Sequence, residues 1–151
     1  MKVRMSETDL PIRVRPLQSS DINFVRSSWL KTLHQQDPFK HIPFEVFKTE
    51  VIDMIDEMIA EGFTQVICHE DIEDEIMTYM NYKRHKDFLM LNFIYTKKPY
   101  RKLGLAKFIL DRVMKSAGDD LSIFYTTHTM GAYWLRSKRM IYNPFLLWKP
   151  L

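Results

Sequence analysis

The sequence is poor in the residues that cross-link or punctuate a chain. It contains one cysteine, Cys68, and four glycines among 151 residues, and no apolar run approaches the ~20 residues that a membrane helix requires. A single cysteine excludes an internal disulfide and favours a reducing compartment, and we interpret Cys68 as a small buried hydrophobe. The first residues lack the apolar stretch of a secretory signal. We therefore expect a cytoplasmic protein without a membrane segment.

The chain carries enough apolar material for one core. Hydrophobic residues make up 46% of it and charged residues 27%, which is typical of a folded domain and not of a disordered segment. No internal repeat, low-complexity tract or linker divides the sequence. The sequence therefore predicts a single domain over residues 1–151, whose first ten residues form a flexible lead.

Charge is distributed unevenly, although the formal net charge is only +3. Residues 45–75 contain 11 acidic residues and one basic residue, whereas residues 76–151 contain 14 basic and four acidic residues. A basic half favours an anionic partner, either a phosphate-bearing cofactor or a nucleic acid. Both alternatives stay open at this point, as does a surface of solvated lysines and arginines.

Hydrophobic periodicity predicts ten elements in the order β-α-α-β-β-β-α-β-α-β. Helical spacing predicts helices over roughly 20–34, 44–61 and 105–117. Alternating or continuous apolar character predicts strands over 12–15, 65–69, 75–82, 88–96 and 121–126. A short helix around 131–138 and a last strand over 142–148 complete the chain. Hairpin strands followed by a β-α-β unit predict an α/β fold with a mixed, mostly antiparallel central sheet.

A short basic turn joins the strand over 88–96 to the helix over 105–117. It contains Arg101, Lys102 and Gly104. The first N–H groups of a helix lack internal partners, and together with the helix dipole they form an anion site. Gly104 has no Cβ to keep a phosphate away from the backbone. The sequence has no G-x-x-x-x-G-K-[ST] motif, which argues against an ATP-hydrolysing P-loop.

This turn resembles the acetyl-CoA signature of the GNAT superfamily of N-acetyltransferases. The signature is [QR]-x-x-G-x-[GA], and Arg101, Gly104 and Ala106 occupy its specified positions. The pair Tyr100-Arg101 and the element order over 12–148 are also similar to that family. The resemblance implies an acyl-CoA N-acyltransferase architecture and an enzyme that transfers an acetyl group from acetyl-CoA to an amine by direct attack.

The resemblance also implies where acetyl-CoA would bind. In that family the pantetheine arm pairs with a strand edge that splays from its neighbour at a bulge, which here corresponds to Ile94, Tyr95 and Thr96. One N–H group of this edge would polarise the thioester carbonyl. The backbone amides of the turn would hold the pyrophosphate, and they belong to Arg101, Lys102, Leu103, Gly104, Leu105 and Ala106.

The general acid departs from the family pattern. The pattern N-x-x-A-x-x-x-Y, aligned on Ala132, places Thr129 at the asparagine and Arg136 at the tyrosine acid. Tyr133 is therefore the substitute candidate for the acid, and packing is its alternative role.

Candidate general bases are carboxylate and imidazole groups at or just after the ends of predicted strands, or in the hairpin connection before residue 88. They are Glu70, His69, His85 and His128, for each of which a surface or structural role is the alternative. The histidines lack metal-ligand spacing such as H-E-x-x-H, so we expect no metal.

Three functions remain open from the sequence. They are an N-acetyltransferase acting on an amine-bearing small molecule or protein, a nucleic-acid-directed acyltransferase, and an inactive GNAT-like binding module, which Arg136 motivates. Because little chain lies between Met130 and Leu151, an open cleft or a strand supplied by a partner subunit in a homodimer is a further expectation.

Overall fold

The computed structural model describes residues 3–5, 8–118, 121–127 and 140–148. The described part begins with a small hairpin in which β1 (Val3–Met5) pairs antiparallel with β2 (Thr8–Leu10). The sequence predicts a flexible lead over 1–10, and this stays a prediction, since pairing of these two short strands does not report on their motion.

A six-stranded mixed sheet forms the centre of the fold. Its strands, in spatial order, are β3 (Ile12–Pro16), β4 (Phe63–His69), β5 (Ile76–Arg84), β6 (Phe88–Thr96), β7 (Ser122–Tyr125) and β8 (Ile141–Tyr142). Neighbours are antiparallel from β3 to β6, whereas β7 is parallel to both β6 and β8. The predicted mixed, mostly antiparallel sheet is therefore confirmed.

Among the described residues, three α-helices cover the two faces of this sheet. They are α1 (Ile22–His34), α2 (Phe44–Glu61) and α3 (Leu105–Ala117). The helices α1 and α2 pack on one face, and α3 crosses the other face between the parallel strands β6 and β7. This crossover is the predicted β-α-β unit, since a parallel pair of strands needs a long connection.

Strand β6 is buried on both faces, as its continuous apolar sequence predicts. Phe93 faces α1, where its ring stacks on Trp29 with the centroids 4.9 Å apart. Ile94 faces α3 and packs with Leu110 in the second core cluster. Successive side chains of a strand point to opposite faces, so one strand anchors both cores. Cys68 is fully buried, as expected.

The predicted last strand over 142–148 is wrong. In the structure β8 contains only Ile141 and Tyr142, and Pro144–Trp148 forms a 3-10 helix. Pro144 has no N–H group to donate to a sheet. The Asn143 side chain accepts a hydrogen bond from the Phe145 N–H at 3.2 Å, which begins the turn. The predicted helix around 131–138 lies outside the described residues.

No helix within the described ranges combines the length and the apolar character needed to cross a membrane.

Candidate functional site

Strands β6 and β7 run together for only four residue pairs, from Phe88 opposite Ser122 to Leu91 opposite Tyr125. The Thr126 N–H then donates to the Leu91 carbonyl at 3.0 Å, and this is the last backbone bond between them. Strand β6 continues to Thr96. Within the part of the chain that the structure describes, residues 93–96 therefore have an open edge on the β7 side.

A β-bulge lies at the point of divergence. Strand β5 pairs Asn81 with Phe93 and Tyr82 with Leu91, so Asn92 is an extra residue on β6. The Asn92 side-chain amide donates to Asn81 Oδ1 at 2.8 Å, and Asn81 Nδ2 donates to the Met58 carbonyl of α2 at 3.1 Å. This buried amide pair attaches the bulge to α2. The bulge lies where the family resemblance implies one.

The alternation of hydrogen-bonded positions along β6 shows which backbone groups face the open edge. The Lys97 N–H donates to the Met77 carbonyl at 2.9 Å, and hydrogen-bonded positions recur every second residue in an antiparallel pair. The backbone of Tyr95 therefore bonds to β5, whereas the backbone groups of Ile94 and Thr96 face the edge. The Thr96 carbonyl accepts a bond from Arg101 Nε at 2.9 Å. Within the described ranges, the Ile94 N–H and C=O and the Thr96 N–H are thus left for a ligand.

The turn after β6 has the geometry of an anion site. Gly104 is the N-cap of α3 with φ 81° and ψ 13°, and Lys102 is also left-handed, with φ 66°. The first intrahelical bond runs from the Phe108 N–H to the Gly104 carbonyl at 3.0 Å. The N–H groups of residues 105–107 thus have no partner within the helix. Left-handed residues in such turns direct consecutive N–H groups to one concave side, which suits a phosphate.

Apolar side chains hold the turn in place. Leu105 is buried, and Leu103 packs beside it against the core under α3. Lys102 and Gly104 are exposed. The alternation of apolar and polar residues in the signature therefore fixes the backbone while leaving its charged side to solvent.

The position of the turn is also fixed by a hydrogen bond to the residue that precedes β5. The Tyr100 hydroxyl donates to Glu75 Oε1 at 2.6 Å, and this hydrogen bond raises the pKa of Tyr100 above its ordinary value. Glu75 directly precedes β5, so the bond ties the turn to the neighbouring strand. Sequence reasoning missed Glu75, because no local pattern marks a carboxylate that meets its partner 25 residues later.

A cavity of about 340 Å³ lies between α1 and the carboxyl end of β6. Its lining residues are Phe24, Ser27, Ser28, Lys31, Thr32 and Gln35 of α1, together with Tyr95 and Arg101. The α1 residues recur at helical spacing and form one face, which is polar except for Phe24. Two of the predicted cofactor residues, Tyr95 and Arg101, therefore meet a face of α1 that sequence reasoning did not identify.

A buried hydroxyl pair lies beneath this cavity. Ser28 Oγ, which lines the cavity, lies 2.6 Å from the hydroxyl of the fully buried Tyr79. Burial raises the pKa of Tyr79 well above its ordinary value. The phenol therefore stays protonated, and the pair forms a neutral polar floor.

The predicted catalytic residues fall into two groups. Tyr133 and His128, like Arg136, lie outside the described residues. Glu70 follows β4 at the same end of the sheet as Thr96, with β5 between them, and its N–H donates to the Pro11 carbonyl at 2.8 Å. Glu70 is not among the described residues that line the cavity.

The other two candidate bases are engaged elsewhere. His69 Nδ1 accepts a bond from the Asp71 N–H at 3.1 Å. His85 stacks on Phe88, with ring centroids 4.6 Å apart, at the opposite end of β6 from the turn. Within the described ranges, no group of three or more His, Cys, Asp or Glu side chains is placed to hold a metal ion.

This arrangement of sheet and helices is shared with solved acetyltransferases. The chain is similar to an acetyltransferase from Corynebacterium glutamicum, at 16% identity and a TM-score of 0.61 over 86% of this chain and 84% of that one. It is also similar to the PaiA N-acetyltransferase from Thermoplasma acidophilum, solved with coenzyme A, at 16% identity and a TM-score of 0.54, over 85% and 86% of the two chains. A third neighbour is a GNAT family acetyltransferase from Brucella melitensis, solved with acetyl-CoA, at 11% identity and a TM-score of 0.53, over 83% and 80%.

These similarities establish the fold. The chain has the GNAT acyltransferase fold, which confirms the architecture that the turn motif implied. The sequence matches no protein-family model and no curated protein at a significant level.

Proposed function

We propose that this protein is an N-acetyltransferase that transfers an acetyl group from acetyl-CoA to an amine. The observation that carries the proposal is the continuity of two binding elements along the chain. The open edge at residues 93–96 leads through a short connection to the turn at 101–106. Coenzyme A has the same order of groups, since an amide-bearing arm is followed by a pyrophosphate. The bound coenzyme A and acetyl-CoA of two structural neighbours support the same assignment.

The backbone groups at the edge suit the pantetheine arm. The Ile94 N–H and C=O and the Thr96 N–H are placed to pair with its amides in the manner of an added strand. An edge N–H is also suited to hold the partial negative charge that develops on a carbonyl oxygen during acyl transfer. Arg101 lies beside them, since its Nε already bonds to the Thr96 carbonyl.

The turn suits the pyrophosphate. The N–H groups at the start of α3 point out of the helix without internal partners, and the helix dipole adds to their attraction for an anion. Lys102 and Arg101 supply two positive charges at the same place, and both are exposed. No acidic side chain lies among residues 97–110 to oppose the binding of a phosphate.

Acetyl-CoA supplies the acetyl group as a thioester, whose C–S bond breaks as the C–N bond of the product amide forms. The amine gives up one proton to a base or water, and the departing sulfur takes up one proton from an acid or water, so that coenzyme A leaves as the thiol. Among the described residues, no carboxylate or imidazole lines the cavity. Tyr133, His128 and Glu70 remain predictions for the acid and the base.

A nucleic-acid acceptor has less support. The basic segments at 83–86 and 97–98 lie at opposite ends of β6, roughly 26 Å apart at the rise of an extended strand. Lys83 also bonds to Glu61 at 3.2 Å. Residues 83–86 and the turn therefore do not form one continuous basic surface within the described chain.

A transfer assay tests the proposal. Purified protein is incubated with acetyl-CoA and a panel of amines, and the released thiol of coenzyme A is followed with a chromogenic disulfide. The proposal predicts amine-dependent thiol release that exceeds the rate without protein. If acetyl-CoA binds and no amine accelerates thiol release, the inactive binding module becomes the better description.

A further inference from the structure

The cavity between α1 and β6 adjoins the open edge and differs from it in chemistry. It reaches Tyr95 on β6 and Arg101 in the turn, so a molecule held there lies next to the backbone groups of residues 94–96. Apart from the ring of Phe24, its walls on the α1 side are hydroxyl, amide and ammonium groups. This wall has no role in holding the arm or the pyrophosphate of coenzyme A in the function proposed above.

The charge of the cavity has one sign. Lys31 and Arg101 line it, and Lys97 Nζ lies 4.9 Å from the centre of the Phe24 ring, which lines it too. Among the described lining residues there is no aspartate or glutamate. An amine that brings only positive charge would be repelled by this set, whereas an amine that also carries an anion would be attracted.

Of these cations, Lys31 is best placed to distinguish amines that carry an anion from amines that do not. Arg101 already contacts other groups, since its Nε bonds to the Thr96 carbonyl and its guanidinium lies 6.0 Å from the centre of the Tyr95 ring. Lys31 takes part in no ion pair among the described residues. The Thr32 hydroxyl and the Gln35 amide lie on the same face of α1 and provide further hydrogen-bond groups.

The volume of the cavity indicates the size of the acceptor that it can hold. About 340 Å³ is at the lower end of the range for small-molecule sites. This volume fits a metabolite with one amine and one carboxylate or phosphate.

We propose that the acceptor of this enzyme is a small amine bearing a carboxylate or phosphate, and that Lys31 binds this anionic group as the residue that determines specificity. The inference rests on the proposed acetyltransferase function. The positive lining also lowers the pKa of a bound ammonium group, because a like charge disfavours the charged form. The lining therefore favours the neutral amine that attacks the thioester.

Matched pairs of amines test the proposal. β-Alanine and O-phosphoethanolamine carry the anion, while ethanolamine and putrescine lack it, and the two anionic probes separate a carboxylate from a phosphate preference. We expect kcat/KM to be about tenfold or more higher for at least one anionic amine than for its matched partners, as one charge-assisted hydrogen bond implies. Equal rates across the panel would overturn the proposal.

Two lysine variants test whether Lys31 is the residue that binds the anionic group of the acceptor. Lys31→Met is expected to raise KM for the anionic acceptor about tenfold with little change in kcat, and to leave the Kd of coenzyme A within a factor of two. Lys48→Met, which removes an exposed lysine from α2, is the control and is expected to behave as the wild type. A Lys31→Met variant that loses coenzyme A affinity and keeps its acceptor KM would show instead that the cavity serves coenzyme A.

Measuring acceptor binding without coenzyme A separates the proposed acceptor site from the proposed acetyltransferase function. Ligand-detected NMR with β-alanine and O-phosphoethanolamine, without any coenzyme A, reports on the cavity alone. Binding that Lys31→Met abolishes supports the cavity assignment even if acetyl-CoA fails to bind. Absent or Lys31-independent binding of both probes overturns the cavity assignment even where acetyl-CoA binds normally.

Discussion

The Tyr100 hydroxyl bonds to Glu75 at 2.6 Å and so joins the phosphate turn to the strand beside it. Tyr100 directly precedes Arg101, and Glu75 directly precedes β5. The turn is therefore held at both of its ends, by this bond before Arg101 and by the buried Leu105 after Gly104. A preformed turn binds an anion more tightly because less backbone must be ordered on binding.

Removing this bond should weaken coenzyme A binding and spare the fold. We expect Tyr100→Phe to raise the Kd of coenzyme A about threefold to tenfold, which corresponds to the net free energy of one hydrogen bond. Isothermal titration calorimetry measures the change. Tyr82→Phe, on β5 near the opposite end of the sheet, is the control that should keep the wild-type Kd. Equal Kd values for Tyr100→Phe and the wild type would show that the bond does not position the turn.

A buried ion pair makes stability depend on acid pH. Arg15 donates two hydrogen bonds to Asp21, at 2.6 and 3.0 Å, and the two residues are only 6% and 2% exposed. Burial by itself would raise the pKa of Asp21, but the bonds from Arg15 and from the Gln18 N–H outweigh it and lower the pKa. The stabilisation is therefore present above the unfolded-state pKa of about 3.9 and is lost as the pH falls through the lower folded-state value.

Asp21→Asn isolates this contribution. At pH 7 we expect the variant to lose about 3 kcal/mol of unfolding free energy, because Arg15 is left buried without its counter-ion. Urea denaturation of both proteins between pH 7 and pH 2.5 should show the difference shrinking below about pH 4. A difference that stays constant over this range would mean that the pair does not titrate as described.

Gly62 is required by close packing and not by its backbone angles. It lies in extended conformation after α2, where an added Cβ would come within 2.8 Å of the Met58 carbonyl oxygen and 2.9 Å of the Tyr82 carbonyl oxygen. Both obstacles are backbone atoms, so Gly62→Ala is expected to cost about 1–3 kcal/mol of unfolding free energy. Thermal denaturation measures the loss, and an unchanged Tm would show that the junction of α2 and β4 relaxes freely.

Local sequence patterns predicted most of the fold. The bounds of α2, β6 and α3 agree with the observed elements, because each has a long apolar stripe or run. Glycine or proline marks the ends of α2 and α3, and charged residues mark the ends of β6. The last strand is predicted too far along the chain because one proline, Pro144, outweighs an apolar run that otherwise favours a strand.

The site was predicted only where it is contiguous in sequence. The turn at 101–106 and the strand edge at 94–96 adjoin each other and carry a motif, whereas the polar face of α1 and Glu75 reach the site through tertiary packing. The Asn92 bulge likewise depends on a register shift against β5. The periodicity of one segment cannot reveal its contacts with segments that are distant in the sequence.

The most direct test of the acetyl-CoA site is calorimetric titration of acetyl-CoA into three proteins: the wild type, Gly104→Glu and Gly118→Glu. Both glycines have positive φ, 81° and 95°, and they flank α3 at opposite ends. Both variants introduce the same side chain, and Gly118→Glu is the more strained of the two, because φ 95° with ψ 159° is a conformation that glycine adopts almost alone, whereas Gly104 is left-handed helical. Circular dichroism checks that each variant is folded. We predict binding by the wild type and by Gly118→Glu, and no detectable heat for Gly104→Glu, whose carboxylate and Cβ occupy the anion site. Absence of binding by the wild type, or wild-type affinity in Gly104→Glu, would contradict the assignment of this turn as the acetyl-CoA site.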